Sequence, residues 1–179
     1  MYKKLILLSV LLSFAIVFCF YSLSDYFISY PFRAAFNRMT QDAQKEVVCL
    51  ADNIYFESAT EPREGQIAVA YVTINRVNSG IFEDNICSVV KQKVKGVCQF
   101  SWWCEDRPYS ISNSKVLTKG DNRLYNDILE LSIYFYLNHE RMDDPTNGAL
   151  FYHADYVSPN WKNVKRSIQI GRHIFYHKA

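Results

Sequence analysis

Between Gln41 and Ser58 the apolar positions recur every three to four residues. Val47, Leu50, Ala51, Ile54 and Ser58 share one face, which predicts an amphipathic helix. Ala59-Thr60-Glu61-Pro62 breaks it; Thr60 or Glu61 is placed to cap the next helix, and proline is tolerated in a first turn. From Arg63 to Val77, Ile67, Ala70, Tyr71 and Ile74 lie on one face and Val69 and Val72 on another, so this helix is expected to be central and buried. Asn78-Ser79-Gly80 ends it. Ile86 to Gln92 reads as a short helix and Lys93 to Pro108 as a loop region. Asn122 to Leu137 is a further helix, with Leu124, Ile128, Leu131 and Phe135 on one side. Turn residues at Asp143–Gly148 then lead into strands at Ala149–His153 and Ser167–Tyr176, with Val157 to Asn163 between them. Trp161, just after Pro159, is expected to pack this β element onto the helices. Helices followed by a small sheet predict an α+β fold, mainly helical.

The N-terminus has a different pattern. Lys3 and Lys4 precede an unbroken apolar run from Leu5 to Tyr21, as in an export signal or signal anchor. That run has 17 residues, at the short end of the ~20 that span a bilayer. Ser22-Leu23-Ser24 is small-x-small without a well-specified cleavage site, and Val17-Phe18 before Cys19 makes a poor lipid-attachment box. Residues 1–24 are therefore read as a signal anchor or a signal peptide, 25–44 as a membrane-proximal linker and 45–179 as the functional domain. A hydrophobic N-terminal helix would place the membrane among the partners, with the two lysines on the cytoplasmic side and the domain exported.

Composition narrows the function. The 179 residues are 49% hydrophobic and 21% charged, which is globular rather than disordered. The formal charge of +2 offers no basic field for nucleic acid. With 6 glycines and no glycine-rich phosphate motif, nucleotide binding has no support. Besides Cys19 there are Cys49, Cys87, Cys98 and Cys104, an even set that in an oxidising compartment points to two disulfides. Three pairings are open; the short loop between Cys98 and Cys104 favours that pair, leaving Cys49 with Cys87. The spacing is not that of a zinc site, so no metal and no cofactor are expected.

Glu57 is the candidate for chemistry. It is three residues after Ile54, on the rim of the apolar stripe. Burial there disfavours the charged form, and a carboxylic acid kept protonated can act as a general acid. The plainer alternative is a glutamate in the last helical turn that reaches water or caps the next segment. Asp52, five residues earlier, falls on a largely different face and is expected to be solvated. Glu61 and Glu64 open the following helix, where acids complement the dipole; Glu64 also stands as a residue that could support the site from behind.

Three blocks of sequence carry a resemblance. Leu50-Ala51-Asp52-Asn53-Ile54-Tyr55-Phe56-Glu57-Ser58-Ala59 is followed by Glu61-Pro62-Arg63-Glu64-Gly65-Gln66-Ile67-Ala68-Val69-Ala70 and Asn75-Arg76-Val77. The second block is Cys98-Gln99-Phe100-Ser101-Trp102, and the third runs from Ala149 to Trp161 and resumes at Ile170–Tyr176. In that order they resemble the SleB/CwlJ-like cell wall hydrolases, over nearly all of the chain from Cys49 to Tyr176. The resemblance implies a lysozyme-like, lytic-transglycosylase-like domain. It implies cleavage of peptidoglycan between N-acetylmuramic acid and N-acetylglucosamine, with the essential glutamate at Glu57. Ser58 stands where alanine is commoner. The export pattern of the N-terminus points to the cell envelope, with the domain in the periplasm, anchored in the inner membrane or secreted.

Simple glycoside hydrolysis uses a second carboxylate roughly 5–9.5 Å from the first. The candidates are Asp52, Glu61, Glu64 and Glu105. If none faces Glu57, one acid can protonate the leaving oxygen and then accept the proton of the muramic acid's own hydroxyl as an anhydro ring closes. Gln99 and Ser101 are candidates to bind an acetamido group, and Trp102 to stack on a sugar. Tyr152 is a candidate to orient the muramic acid or to support Glu57, and His153 joins it as a substrate-binding candidate. Asn75 and Arg76, at a helix end, are expected to fix loop carbonyls. Two other readings remain open at this point: a glycan-binding scaffold that does not cut, and an amidase acting on the stem peptide.

Overall fold

A computed structural model describes residues 11–19, 31–104 and 119–179, with side chains in the last span from 122 onward. Residues 11–19 are helical and solvent-exposed, and the rest of the apolar N-terminal run lies outside the described residues. Among the described residues, no helix is long and apolar enough to cross a membrane.

The order of elements is α1 (Arg33–Arg38), α2 (Gln41–Ser58), α3 (Arg63–Asn78), α4 (Ile86–Lys91), β1 (Lys93–Val94), β2 (Val97–Cys98), a 3₁₀ turn at Ser101–Cys104, α5 (Lys119–Asn138), β3 (Phe151–Ala154), β4 (Val164–Ile170) and β5 (His173–Lys178). The expected α+β, mainly helical class is what the chain adopts. The two central helices start and stop close to where their hydrophobic periodicity places them. Thr40 caps α2, its Oγ1 accepting from the Ala43 amide at 3.3 Å. The predicted cap on α3 is absent: Pro62 occupies that position with no side-chain hydrogen bond. Glu61 is engaged elsewhere, accepting the Arg172 amide at 2.9 Å.

The core lies where α2, α3, α4 and α5 meet. Leu50, Ile54, Ile128, Ile133 and Phe135 are fully buried there, each contributing about 1.5–3 kcal/mol of transfer free energy. Part of the segment expected as linker is packed against this body. The Phe32 amide donates to Glu130 Oε2 at 2.9 Å and Arg33 Nη2 to Asn126 Oδ1 at 3.0 Å, so α1 docks on α5. Proline and aromatic residues close together read as linker in sequence, because their partners are almost a hundred residues away.

Both expected disulfides form, Cys49–Cys87 and Cys98–Cys104, with Cα–Cα distances of 5.2 and 5.8 Å. The first ties α2 to α4 across 38 residues, a closure that stabilises by about 4 kcal/mol through the unfolded chain. Reduction is expected to lower the melting temperature by about 10 °C, read by calorimetry with and without reductant. An unchanged transition would show that the helix interface alone sets the stability.

The sheet differs from expectation. Ser167–Tyr176 is not one strand but the two arms of a hairpin, β4 and β5, turning at Gly171. Gly171 has φ +55°, a left-handed conformation that favours glycine. A Cβ there would also collide with the Glu61 carboxylate, which receives the Arg172 amide. The sheet order is β3-β5-β4, all antiparallel, so β3 is an edge strand. Entry into β3 is fixed by Asp144. Its carboxylate accepts the Thr146 and Gly148 amides at 2.8 and 2.7 Å and the Asn75 side chain at 2.9 Å. As expected, Asn75 and Arg76 fix carbonyls, those of Ala149 and Leu150.

Candidate active site

Glu57 sits in the last turn of α2, half-buried, at one wall of a cleft of about 380 Å³. Phe56, Ser101 and Trp102 share that wall, and Tyr152, His153 and His173 form the opposite one. Tyr156 and Val157 stand at the rim. The volume lies within the ~300–1,000 Å³ of small-molecule sites.

Each wall is positioned by buried polar contacts. Asn53 lies one turn before Glu57 and is completely buried. Its Nδ2 donates to Thr73 Oγ1 at 3.2 Å, and its Oδ1 accepts from Trp102 Nε1 at 3.0 Å. The same indole stacks on Phe56 with ring centroids 4.5 Å apart. The Cys98–Cys104 disulfide closes the loop that carries Trp102. Asn53 is a polar residue inside an apolar stripe, a signal that could have been read as a buried hydrogen-bonding hub.

On the facing wall the Tyr152 hydroxyl donates to Glu57 Oε2 at 2.9 Å. Tyr152 lies in β3 opposite Phe175 of β5, packed over Ala68 and Val72 of α3. Burial holds its hydroxyl well above the usual phenol range; the Glu57 charge and the hydrogen bond add to this, and Arg76 opposes it. The phenol is thus a firm donor. Tyr152→Phe removes a hydrogen bond that favours the carboxylate form of Glu57. Because Glu57 must start protonated, the alkaline limb of the kcat/KM profile is expected to move to higher pH, with the rate about tenfold lower at the optimum. A profile that keeps its alkaline limb in place would show that Tyr152 only packs.

Arg76 is the residue whose part in the site exceeds the sequence reading. It is 5% exposed, with Nε donating to the Leu150 carbonyl at 2.8 Å. Its guanidinium lies over the rings of Phe82 and Phe100, 5.0 and 4.8 Å from their centroids. Burial lowers its pKa, while the Tyr152 and Glu57 charges pull it back up. Arg76 therefore supplies a fixed positive charge behind the Glu57–Tyr152 pair.

The other sequence candidates separate clearly. Ser101, Trp102, Tyr152 and His153 line the cleft with Glu57. Gln99 does not; its backbone N–H donates to the Gln92 backbone carbonyl beside the β1–β2 hairpin. Glu64 is exposed in the first turn of α3, and Glu61 is taken by Arg172. Asp52 corrects an expectation: it is buried, accepting from the Tyr125 hydroxyl at 2.9 Å, because α5 covers the face that sequence left open. Glu105 lies outside the described residues. Among the described residues, Glu57 is the one carboxylate lining the cleft.

A family model described as cell wall hydrolase matches residues 60–176. The chain belongs to that family. The matched span is that of an enzyme directed at the cell wall, and it begins just after Glu57. Spore cortex-lytic enzymes are among the curated relatives. That of Oceanobacillus iheyensis is 27% identical over 136 residues, covering 74% of this chain and 42% of the relative. That of Bacillus cereus is 29% identical over 135 residues, 74% of this chain and 44% of the relative. The chain spans about two fifths of the length of these relatives. Among solved structures, the catalytic domain of the Bacillus cereus SleB protein is 28% identical, with TM-score 0.48, covering 74% of this chain and 89% of that one. The catalytic domain of the germination-specific lytic transglycosylase SleB from Bacillus anthracis is 26% identical, with TM-score 0.48, covering 78% and 97%.

His173, which sequence reasoning did not single out, completes the cleft of this cell wall hydrolase domain. It alternates with Phe175 on the face of β5 towards α3, a period-2 signal present in the sequence. Its Nδ1 is buried with no hydrogen-bond partner among the described residues. Burial holds the imidazole below its ordinary 6.5; Glu61 and Asp155 oppose this and His153 reinforces it. The unfolded chain therefore binds this proton more readily. The contribution is fully present above pH 6.5 and is lost as pH falls from there towards the lower folded value. The unfolding free energy from urea melts is expected to drop between pH 7.5 and 5.5 by less than about 1.4 kcal/mol per pH unit from this group, and His173→Gln to flatten the drop. An equally steep curve in the variant would assign the effect to other groups.

Proposed function

We propose that this domain degrades peptidoglycan by cutting its glycan strand between N-acetylmuramic acid and N-acetylglucosamine, as a lytic transglycosylase with Glu57 as acid and then base. The observation that carries the reading is that, among the described residues, Glu57 is the single carboxylate lining the cleft, held by Tyr152. Protonated Glu57 gives its proton to the glycosidic oxygen as the C1–O bond breaks. The muramic acid C6 hydroxyl then bonds to C1, and its proton returns to Glu57. No water is consumed, so no second carboxylate is needed to activate one. Tyr152 and Arg76 stabilise the carboxylate midway through the cycle. Ser101 and His153 offer polar contacts to the sugar, Trp102 an apolar surface and Gln99 an amide at the edge of the same loop. Glu64, remote from the lining, acts at most through α3. Mass spectrometry of fragments released from purified sacculi tests this. Anhydro ends are expected; reducing sugar ends would overturn the transglycosylase step in favour of hydrolysis, and freed peptides would overturn both.

The four cysteines of the domain are spent in disulfides, which argues against a thiol-dependent amidase. The membrane anchor belongs to the same proposal. Leu11, Leu12, Phe14 and Phe18 of the N-terminal helical stretch are exposed rather than covered by the domain, and Lys3 and Lys4 precede them. Such a surface suits lipid, with the disulfide-bonded domain on the oxidising side. Fractionation of the full chain is expected to place it with membranes.

A further inference from the structure

Side chains alternate along β3, and the register with β5 assigns them to faces. Tyr152 points with Phe175 towards α3 and Glu57. Phe151 and His153 point the other way, opposite Tyr176 and Ile174. Because β3 is the edge of the sheet, His153 reaches round it and also lines the Glu57 cleft.

Behind His153 lies an aromatic cluster that the cleavage chemistry does not use. His153 stacks on Tyr176 with centroids 5.3 Å apart, and Trp161 meets His153 at 5.5 Å, Tyr176 at 5.7 Å and Phe151 at 5.9 Å. The expectation that Trp161 packs the sheet onto the helices is therefore corrected: it packs on the outer face of the sheet, and 40% of it stays exposed. His153 Nδ1 is 2.9 Å from the Ala154 carbonyl, so it carries the proton, and Nε2 accepts from the Tyr176 hydroxyl at 2.9 Å. The ring lines the Glu57 cleft and touches Trp161, which lines a second hollow. The second hollow, about 500 Å³, is lined by Phe151, Trp161, Asn160, Asn163, Lys162 and Lys178.

We propose that this outer hollow, centred on Trp161, is a second glycan-binding subsite that holds the peptidoglycan strand where it leaves the Glu57 cleft over strand β3. The inference rests on the glycan-cleaving reading of that cleft. An exposed indole offers a flat apolar surface to the C–H face of a sugar ring. The Asn160 and Asn163 amides can donate and accept with hydroxyl and acetamido groups. Lys162 and Lys178 complement the carboxylates that the strand's muramic acid side arms carry. A purely apolar partner would leave these polar groups without complement. The contact between His153, which lines the cleft, and Trp161, which lines the hollow, places the two side by side.

The test is a ratio of affinities, measured by calorimetry on the full chain carrying Glu57→Gln so that the strands stay intact. The probes are peptide-free glycan strands fractionated to a short and a long length. The long strand is expected to bind more tightly, and Trp161→Ala to reduce the long-to-short ratio about tenfold, the scale of one lost aromatic stack. Trp161→Tyr, which keeps a ring, is expected to restore most of the ratio. A ratio unaltered by Trp161→Ala overturns the proposal whatever the absolute affinities, because general damage weakens both probes alike. A parent protein that binds both lengths equally overturns it too. A parent that binds neither strand, with wild-type protein releasing no glycan fragments, is a distinct result: the glycan-cleaving reading itself then fails, and the subsite with it.

Discussion

Glu57→Gln is expected to yield a folded protein that clears sacculi at least about a hundredfold more slowly than wild type. The amide has almost the same shape and its carbonyl can still accept the Tyr152 hydroxyl, so the cleft should stay assembled. What it lacks is a proton that can be given to the leaving oxygen. General acid–base groups contribute about 10²–10⁴ in rate, and here one residue serves in both halves of the cycle, which places the loss towards the upper end. Turbidity loss of purified sacculi and the thermal transition should be recorded on the same sample. Unimpaired clearing by the variant would sink the assignment. A lost transition would make the comparison one of folding; Glu57→Asp then supplies a carboxyl with shorter reach, and it too should be slow if distance matters.

Arg76→Ala is expected to cost about 3–5 kcal/mol of stability, the largest loss of any single change considered. The guanidinium holds the Leu150 carbonyl, fills the space between Phe82 and Phe100, and balances the charge of Glu57. Truncation leaves a buried carbonyl without that donor and a cavity between two rings. The urea midpoint should fall with little change in slope. Arg76→Lys retains the charge but not the flat, donor-edged group that stacks on both rings, so it is expected to recover only part of the loss. Full recovery by lysine would show that charge alone matters, and a loss under about 1 kcal/mol with Arg76→Ala would show that the site tolerates an empty Arg76 position.

How much of this was legible in sequence depended on the range of the interaction that decides each residue. The helix bearing Glu57 was readable because its signal, Val47 to Ser58, is local and periodic. The disulfides were readable because four cysteines leave few choices. Asp52 was misread, since its partner Tyr125 is 73 positions away and no local pattern announces it. The Gly171 turn was missed because Ile168, Ile170, Ile174 and Tyr176 read as one extended run; only the distant Glu61 shows why the chain reverses there. Arg76 was placed at a helix end, where its link to Leu150 was foreseeable. The charge it sets behind Tyr152 and Glu57 depends on how three elements stack. Trp161 was assigned to the wrong partner because an aromatic beside proline says that it packs, not against what.

The edge strand carries neighbouring residues with opposite destinations, Tyr152 towards the acid and His153 towards Tyr176 and Trp161 on the outer face. A single residue inserted or deleted between Asp144 and Phe151 would exchange the two, aiming an imidazole at Glu57 and a phenol at the indole. The connection before β3 therefore has a length that cannot drift by odd steps without inverting the strand, however freely its individual side chains are replaced.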